Sequence, residues 1–355
     1  MEIIADIATT IVAQMQKPTL AFLLGGMMLA ALGSKLEVPE PVYKFIVMLL
    51  LLKVGLSAGI SVREADLMEL AVPAILAAVV GVVIIMIGRA TLARWRGVSE
   101  MDGMATAGLF GAVSASTLAA GMAVLDSEGI AYEGFIGALY PFMDIAALVT
   151  AIVLARMSAE RKAATAIQRA GGSATMTVGG GSGPGGGFDR EMVRGILVDT
   201  LRSPAISALI LGIGLGIFAR PESVYESFYE PLFRGLLSIL MLIMGIEAWQ
   251  RLSELRGVAH AYVIYGIAAP LLHGLVGFGA GLVAHQLTGF SAGGVVLLAV
   301  MAASSSDISG PPTLRGALPE ANPSAYVGTS TGLGTPIAIL SIPLWIALAG
   351  AVIGV

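Results

Sequence analysis

Long apolar runs separated by short polar segments dominate the chain. A membrane-spanning helix needs about 20 mostly apolar residues, and several stretches approach that length. They lie at about residues 18–34, 42–61, 71–92, 103–125, 134–156, 203–219, 232–250, 261–286, 292–318 and 324–350. The pattern predicts an all-α polytopic membrane protein with ten transmembrane helices.

One long polar segment interrupts this pattern near the middle of the chain. It contains "GGSATMTVGGGSGPGGG", and a glycine- and serine-rich composition is typical of a flexible linker. We therefore predict a linker at residues 166–195. It divides the chain into residues 1–165 and 196–355, each with five helices.

The two halves resemble each other in sequence. "KPTLAFLLGGMMLAALG" aligns with "SPAISALILGIGLGIFA", and "GLFGAVSASTLAAG" aligns with "AVMAASSSDISGP". "FIGALYPFMDIAALV" also aligns with "YVGTSTGLGTPIAIL", and Pro73 lies opposite Pro270. An odd number of helices inverts the second copy in the bilayer, so we predict a 5+5 inverted repeat. This architecture is typical of secondary transporters.

The basic residues predict the orientation in the membrane. Cytoplasmic loops carry an excess of lysine and arginine, and a cytoplasmic linker places fifteen of the 20 lysines and arginines inside. Lys17, Arg63, Arg220 and Arg234 then lie outside, and Lys53 lies within a helix. Both termini are accordingly predicted to be outside.

The fourth and ninth predicted helices contain polar interruptions, at "AVSAST" and "SSDISG". Proline ends a helix and suits the first turn of a new one. In the ninth span we therefore expect one half-helix to end near Ser304 and another to begin near Pro311. Ser309 or Gly310 would cap the second. Irregular backbone at membrane depth lines a cavity or is buried in protein, and helix N-termini attract anions. The two interruptions predict a pocket for a small oxyanion.

Two carboxylates within the predicted spans indicate a cation. Asp144 lies in the fifth span and Asp307 at the interruption of the ninth. A charged residue at the bilayer centre costs about 2.5–3.5 kcal/mol on insertion scales, and a sodium ion would offset this cost. Thr117 and Thr335 align with the two aspartates in the internal repeat and would complete the ion's ligands. Asp144 as a proton carrier or as a partner of a buried hydroxyl remains an alternative.

Composition excludes several other classes of protein. The chain is 56% hydrophobic and 12% charged, with a net charge of −4 and no cysteine. It is too apolar for a soluble domain, offers no thiolate for a metal or a nucleophile, and has no basic tract for nucleic acid. The early acidic residues do not predict a cleaved signal peptide.

Three alternatives to a sodium-coupled transporter of one small oxyanion remain in view. An intramembrane aspartyl protease would need two cooperating aspartates, but "FMD" and "SSSD" lack the Gly-x-Gly-Asp pattern of that class. A passive anion channel would conduct without sodium. A sodium symporter of the same fold for another small oxyanion or carboxylate is the third. We expect a transporter and no enzyme.

Several long motifs resemble those of the cyanobacterial sodium-dependent bicarbonate transporters, the SbtA-type permeases. They are "GLFGAVSASTLAAG", "GALYPFMDIAALVTAIV", "RPESVYESFYEPLFRGLLSILMLIMGIEAW", "AASSSDISGPPTLR" and "ANPSAYVGTSTGLGTPIA". The resemblance covers nearly the whole chain and departs mainly in the central loop, which is usually more charged in the family.

The resemblance implies sodium-coupled bicarbonate uptake across the plasma membrane for a carbon concentrating mechanism. It implies a homotrimer in which a core domain (71–156 plus 261–355) moves against a gate domain (1–70 plus 196–260) as an elevator. A PII-like, nucleotide-sensing protein is the implied cytoplasmic partner, and sodium is the coupling ion, with no covalent cofactor.

The resemblance also implies which residues form the sites. The bicarbonate and sodium sites fall on the two interrupted helices, at 114–117 and 304–310. The residues expected to bind the anion are Ser114, Ala115, Ser116, Ser304, Ser305, Ser306, Ser309 and Gly310. Those expected to bind sodium are Thr117, Asp144, Asp307 and Thr335, the two aspartates supplying the charge.

Overall fold

In a computed structural model the residues that the structure describes form helices joined by turns and loops, and no strand occurs among them. These residues are 18–64, 67–169, 194–195, 198, 201–202, 204–254, 260–307 and 310–354. Most of the predicted linker lies outside them. Helix α6 nevertheless continues to Arg169, so residues 166–169 of that segment are helical.

In the described part of its first half, the chain forms six α-helices. They are α1 (Pro18–Ala31), α2 (Glu40–Glu64), α3 (Leu67–Ala90), α4 (Glu100–Gly111), α5 (Ala115–Glu128) and α6 (Tyr140–Arg169). Short 3₁₀ turns precede α4 and α6. Helices α4 and α5 together occupy the predicted fourth span, which is therefore interrupted between Gly111 and Ala115.

The second half has the same order, with further interruptions. Among the described residues its longer helices are α7 (Pro204–Phe218), α8 (Glu230–Glu254), α9 (His260–Thr288), α10 (Ala292–Ala303), α11 (Gly310–Ala317), α12 (Pro323–Thr329), α13 (Thr335–Leu340) and α14 (Ile342–Val352). A short helical turn at Glu222–Val224 and a π-helical turn at Tyr225–Tyr229 lead into α8. A π-helical turn at Ser330–Gly334 joins α12 to α13. Helices α10 and α11 occupy the predicted ninth span.

Apolar segments long enough to cross a membrane confirm a polytopic membrane protein. Within the described part of the chain, seven qualify by length and composition. They are Glu40–Arg63, Met68–Arg94, Glu100–Glu128, Gly134–Ala159, Glu222–Gln250, His260–Thr288 and Ala325–Val352. Shorter apolar helices occur at Ala21–Ala31, Ile206–Phe218 and Ala292–Ala303. Each of these three shorter helices lies within a predicted span. The total of ten transmembrane helices stays a prediction.

Helix α1 packs closely against α8, and α2 packs against α7. At Gly26 of α1 the backbones approach so closely that a Cβ would overlap the carbonyl of Leu242. At Gly212 of α7 a Cβ would lie 2.8 Å from the carbonyl oxygen of Leu52. Small residues at helix–helix interfaces in lipid permit such an approach. Any larger side chain at either glycine would separate the helices.

A second set of glycines completes these two interfaces. A Cβ at Gly55 of α2 would overlap the carbonyl of Leu209, and one at Gly245 of α8 would overlap the carbonyl of Leu23. The α1–α8 and α2–α7 interfaces thus use the same pattern, each with one glycine from either helix.

The remaining helices pack into a second group around α3 and α9. Helix α3 contacts α4, α6 and α9, and α9 packs along α10. Trp345 of α14 is fully buried beside Gly274 of α9 and donates a hydrogen bond from Nε1 to Ser341 Oγ at 3.0 Å. These contacts enclose the interrupted segments α4–α5 and α10–α11 on several sides.

Candidate functional site

The interruption of the fourth span follows from a serine cap. Helix α4 ends at Gly111, and Ser114 has an extended backbone with φ −92° and ψ 122°. Its Oγ accepts a hydrogen bond from the N–H of Thr117 at 3.2 Å. This is N-capping, in which serine satisfies one of the free amides that begin a helix. The cap restarts the helix at Ala115.

The interruption of the ninth span lies beside it. Helix α10 ends at Ala303 with Ser304 as its C-cap, as the sequence predicts. The N–H of Ser306 then donates to the carbonyl of Leu109 in α4 at 2.8 Å. Helix α11 begins at Gly310, whose N–H donates to Ser306 Oγ at 2.9 Å. Ser309, the other candidate cap and a predicted ligand, lies outside the described residues.

One hydrogen bond joins the two interruptions directly. The N–H of Ser114 donates to Ser304 Oγ at 3.0 Å. The two serines are aligned with each other in the predicted internal repeat, and both are fully buried. The structure therefore brings the predicted residues of both halves together at one place inside the protein.

Most predicted anion ligands are buried at this junction. Ser114, Ser116, Ser304 and Ser305 are fully inaccessible to solvent, Ser306 is 1% exposed, and Ala115 and Gly310 are also buried. Buried polar groups require hydrogen-bond partners. Which of these groups already have partners therefore decides what remains for a ligand.

Free amides remain at the start of α5. The N–H groups of Ser114 and Thr117 are used by side chains, whereas those of Ala115 and Ser116 have no partner among the described residues. Because Ala115 and Ser116 are buried, two unpaired donors point out of the N-terminus of a 14-residue helix. This arrangement favours an anion.

Helix α11 contributes fewer donors than the sequence interpretation expects. The N–H of Gly310 is occupied by Ser306 Oγ, and Pro311 and Pro312 carry no N–H. The same two prolines that start this helix therefore remove donors from its first turn. Among the described residues, the free first-turn amides at the junction belong to α5.

Asp307 contacts both the junction and helix α2. Its Oδ2 accepts hydrogen bonds from Ser116 Oγ at 2.8 Å and from the Tyr43 hydroxyl at 3.0 Å. The aspartate is only partly buried, whereas Ser116 is fully buried. Asp307 thus lies at the edge of the junction.

Asp144 and Thr335 support the backbone of the two interruptions. Asp144 Oδ1 accepts the N–H of Val113 at 3.0 Å. The Thr335 hydroxyl lies 3.3 Å from the carbonyl oxygen of Ser305 and 3.2 Å from its Oγ. Asp144 and Thr335 are fully buried. Asp144 thus contacts the first interruption and Thr335 the second, so the two side chains support different interruptions.

Thr117 differs from the other predicted sodium ligands. Its side chain is fully buried, and Oγ1 has no hydrogen-bond partner among the residues that the structure describes. An unsatisfied buried hydroxyl costs about 1–3 kcal/mol, and a bound cation would satisfy its lone pairs. Thr117 follows Ser116, the residue that contacts Asp307.

Sequence reasoning missed three residues that hold this site together. Tyr43 contacts Asp307, the Tyr140 hydroxyl donates to the carbonyl of Val113 at 3.0 Å, and Ser330 Oγ donates to the carbonyl of Ser306 at 3.2 Å. Ser330 begins the π-helical turn, a distortion common at functional sites. The hydroxyl-rich "GTSTGLG" was the available signal for Ser330 alone.

No cluster of three or more histidine, aspartate or glutamate side chains suited to a metal occurs in the described part of the chain. The predicted sodium ligands are mostly hydroxyl and carboxylate oxygens, a donor set that suits a hard monovalent cation better than a transition metal.

Comparison with known families gives one match over most of the chain. The model of the Na⁺-dependent bicarbonate transporter superfamily matches residues 18–350. No curated protein matches the sequence. The chain belongs to the Na⁺-dependent bicarbonate transporter superfamily, as the sequence motifs predict, and is therefore a permease rather than an enzyme.

Proposed function

We propose that this member of the superfamily is a sodium-coupled bicarbonate symporter that takes up inorganic carbon across the plasma membrane by an elevator-type alternating-access mechanism. Bicarbonate binds at the N-terminus of α5, and sodium binds beside it. Family membership supports the substrate and the coupling ion. The single observation that carries the site is the pair of free, buried amides at Ala115 and Ser116.

The anion position follows from the hydrogen-bonding groups at the junction. Bicarbonate carries three oxygens and one negative charge, so it can accept from the amides of Ala115 and Ser116 at once. The partial positive charge of the α5 N-terminus favours its negative charge. The buried hydroxyls of Ser304, Ser305 and Ser306 surround this position and supply further donors or acceptors.

The cation position lies between Thr117 and Asp307. Thr117 Oγ1 lacks a partner, and Ser116, one residue earlier, contacts the Asp307 carboxylate. An ion here would lie one residue from the amides that bind the anion. This proximity would couple the two solutes, because each charge stabilises the other. Asp144 and Thr335 act on this ion through the backbone they hold, or as direct ligands after a rearrangement.

Corresponding contacts in the two halves support the inverted repeat and the division into a core domain and a gate domain. The α1–α8 and α2–α7 interfaces use corresponding glycines, and Ser114 bonds its own repeat-mate Ser304, as residues near a two-fold axis would. We assign α1, α2, α7 and α8 to a gate domain and the helices around α3 and α9 to a core domain. The core carries the site, and the gate stays fixed.

The orientation and the assembly rest on other grounds. The distribution of basic residues supports a cytoplasmic linker and external termini. The homotrimer and the PII-like regulatory partner rest on the family resemblance. In the family the partner blocks transport from the cytoplasmic side, so a glycine-rich linker with few charges suggests a changed contact here.

Uptake into proteoliposomes tests the function. Purified protein should accumulate labelled bicarbonate at alkaline pH when sodium is outside, with saturable dependence on both solutes, and should not do so when potassium replaces sodium. Asp307→Asn should abolish the sodium-dependent part while the protein stays folded and inserted.

Competitors identify the substrate in the same assay. Excess unlabelled bicarbonate should suppress uptake, and nitrate, formate or acetate should not. Complete suppression by one of these anions would assign the protein to a different oxyanion or carboxylate. Current without a sodium requirement would identify a channel.

A further inference from the structure

A single tyrosine connects the gate helices to the carboxylate of the site. The Tyr43 hydroxyl of α2 donates to Asp307 Oδ2 at 3.0 Å, across 264 positions of sequence. Tyr43 is 9% exposed, and its hydroxyl also lies 3.6 Å from the sulfur of Met244 in α8. Nothing in the proposed function requires a donor from the gate at this carboxylate.

Two hydrogen bonds occupy one carboxylate oxygen of Asp307, so this oxygen cannot bind a cation without losing one of them. A carboxylate oxygen has two lone pairs, and those of Oδ2 are taken by Ser116 and Tyr43. A sodium ion that uses Oδ2 must displace one donor. Ser116 belongs to the core, together with Asp307, so Tyr43 is the donor that separates when the core moves.

Tyr43 also lies near one end of its helix. It is three residues from Glu40, where α2 begins, which is about 5 Å along a helix about 37 Å long. The basic residues predict that this end faces the cytoplasm. A cavity of about 190 Å³ lies beside the same turn of α8 as Met244, lined by Glu37, Val38, Ile243, Ile246, Glu247 and Gln250.

We propose that Tyr43 is a positioning residue that releases sodium to the cytoplasm. When the core reaches the cytoplasmic side, the Tyr43 hydroxyl replaces sodium as the partner of Asp307, and the ion leaves through the cavity beside α8. This inference rests on the proposed sodium-coupled transport. Tyr43 therefore weakens sodium binding in this state and accelerates turnover.

Direct sodium binding tests the proposal. Purified wild type, Tyr43→Phe and Tyr132→Phe are titrated with radioactive sodium at saturating bicarbonate. Tyr132 is the matched control because its hydroxyl donates to Asp126 Oδ1, also at 3.0 Å, at the C-terminal end of α5. Removing the competing donor should lower the half-saturating sodium concentration of Tyr43→Phe by about three- to tenfold. Tyr132→Phe should match wild type.

The uptake assay adds a second readout with a distinctive direction. In Tyr43→Phe the half-saturating sodium concentration and the maximal rate should both fall, because the ion binds more tightly and leaves more slowly. A merely structural defect would lower the rate and raise the half-saturating concentration. Should Tyr43→Phe fail to fold, Tyr43→Leu and Tyr43→Met also lack the donor and should show the same shift.

The outcomes separate this inference from the proposed function. Sodium-dependent uptake by wild type together with unchanged or weaker sodium binding in Tyr43→Phe would overturn the role of Tyr43 alone. Wild-type protein that binds no sodium would overturn both.

Discussion

Substitutions of Asp144 can distinguish a structural role of its hydrogen bond from an electrostatic role of its charge in sodium binding. Its Oδ1 accepts the buried N–H of Val113 at 3.0 Å, next to the interruption of the fourth span. Asparagine keeps a carbonyl oxygen at the same place but removes the charge. Alanine removes both. Comparing Asp144→Asn with Asp144→Ala therefore measures the charge and the hydrogen bond independently.

The two contributions differ in size and in the property they affect. Alanine leaves the N–H of Val113 buried without its acceptor, which should lower the free energy of unfolding by about 1–3 kcal/mol. Charge acts on sodium: two opposite unit charges 4 Å apart interact by about 4 kcal/mol at an effective dielectric constant of 20. Even a third of that value raises the half-saturating sodium concentration about tenfold.

We therefore expect Asp144→Asn to melt near the wild-type temperature and to lose sodium-dependent uptake. Asp144→Ala should melt lower and also be inactive. Thermal unfolding monitored by size-exclusion chromatography and uptake into proteoliposomes give the two readouts. Asp126→Asn, an exposed aspartate that accepts a hydrogen bond from Tyr132, serves as the control for charge removal.

Two results would refute the reasoning about Asp144. If Asp144→Asn takes up bicarbonate with wild-type sodium dependence, the carboxylate only supports the backbone of the interruption. Equal melting temperatures for the asparagine and alanine variants would show that the bond to Val113 contributes little to stability.

Three further substitutions test other parts of the site and the fold. Thr117→Val replaces an unpartnered hydroxyl by a methyl group, so it should leave the melting temperature unchanged and raise the half-saturating sodium concentration; an unaltered sodium dependence would remove Thr117 from the site. Ser306→Leu adds bulk at a residue that is 1% exposed and should abolish uptake or raise the half-saturating bicarbonate concentration, whereas normal kinetics would place the anion elsewhere. Gly212→Leu should destabilise the α2–α7 interface by about 1–3 kcal/mol, while Gly214→Leu, where a Cβ meets nothing within 4 Å, should melt like wild type.

The helices and their interruptions were predictable because both follow from local chemistry. Apolar length defines a span, and prolines and small polar residues mark where a span stops. The start of α11 at Gly310 and the end of α10 at Ala303 lie within one residue of the predicted positions. The two adjacent prolines also show from the sequence that the first turn of α11 lacks amide donors. The prediction that the N-termini at both interruptions attract the anion did not take this into account.

The contact between Tyr43 of α2 and Asp307 was not predictable from local sequence patterns. Tyr43 occurs in "PVYKF" near a helix end, where nothing distinguishes it from an ordinary interfacial tyrosine. Its partner lies in the other half of the chain. A contact between residues so far apart in the sequence depends on how the helices pack, which local sequence patterns do not encode.

The hydrogen bonds at the junction divide the predicted site residues into two groups. Ser304, Asp144 and Thr335 bond the backbone of the interruptions, and irregular backbone inside a membrane protein requires such partners. A second group has no hydrogen-bond partner among the described residues: the amides of Ala115 and Ser116 and the hydroxyl of Thr117. These successive residues form the first turn of one helix, so an anion and a cation bound there would share three neighbouring residues. Coupling between the two solutes then needs no signal transmitted across the protein, because each ion completes the binding site of the other.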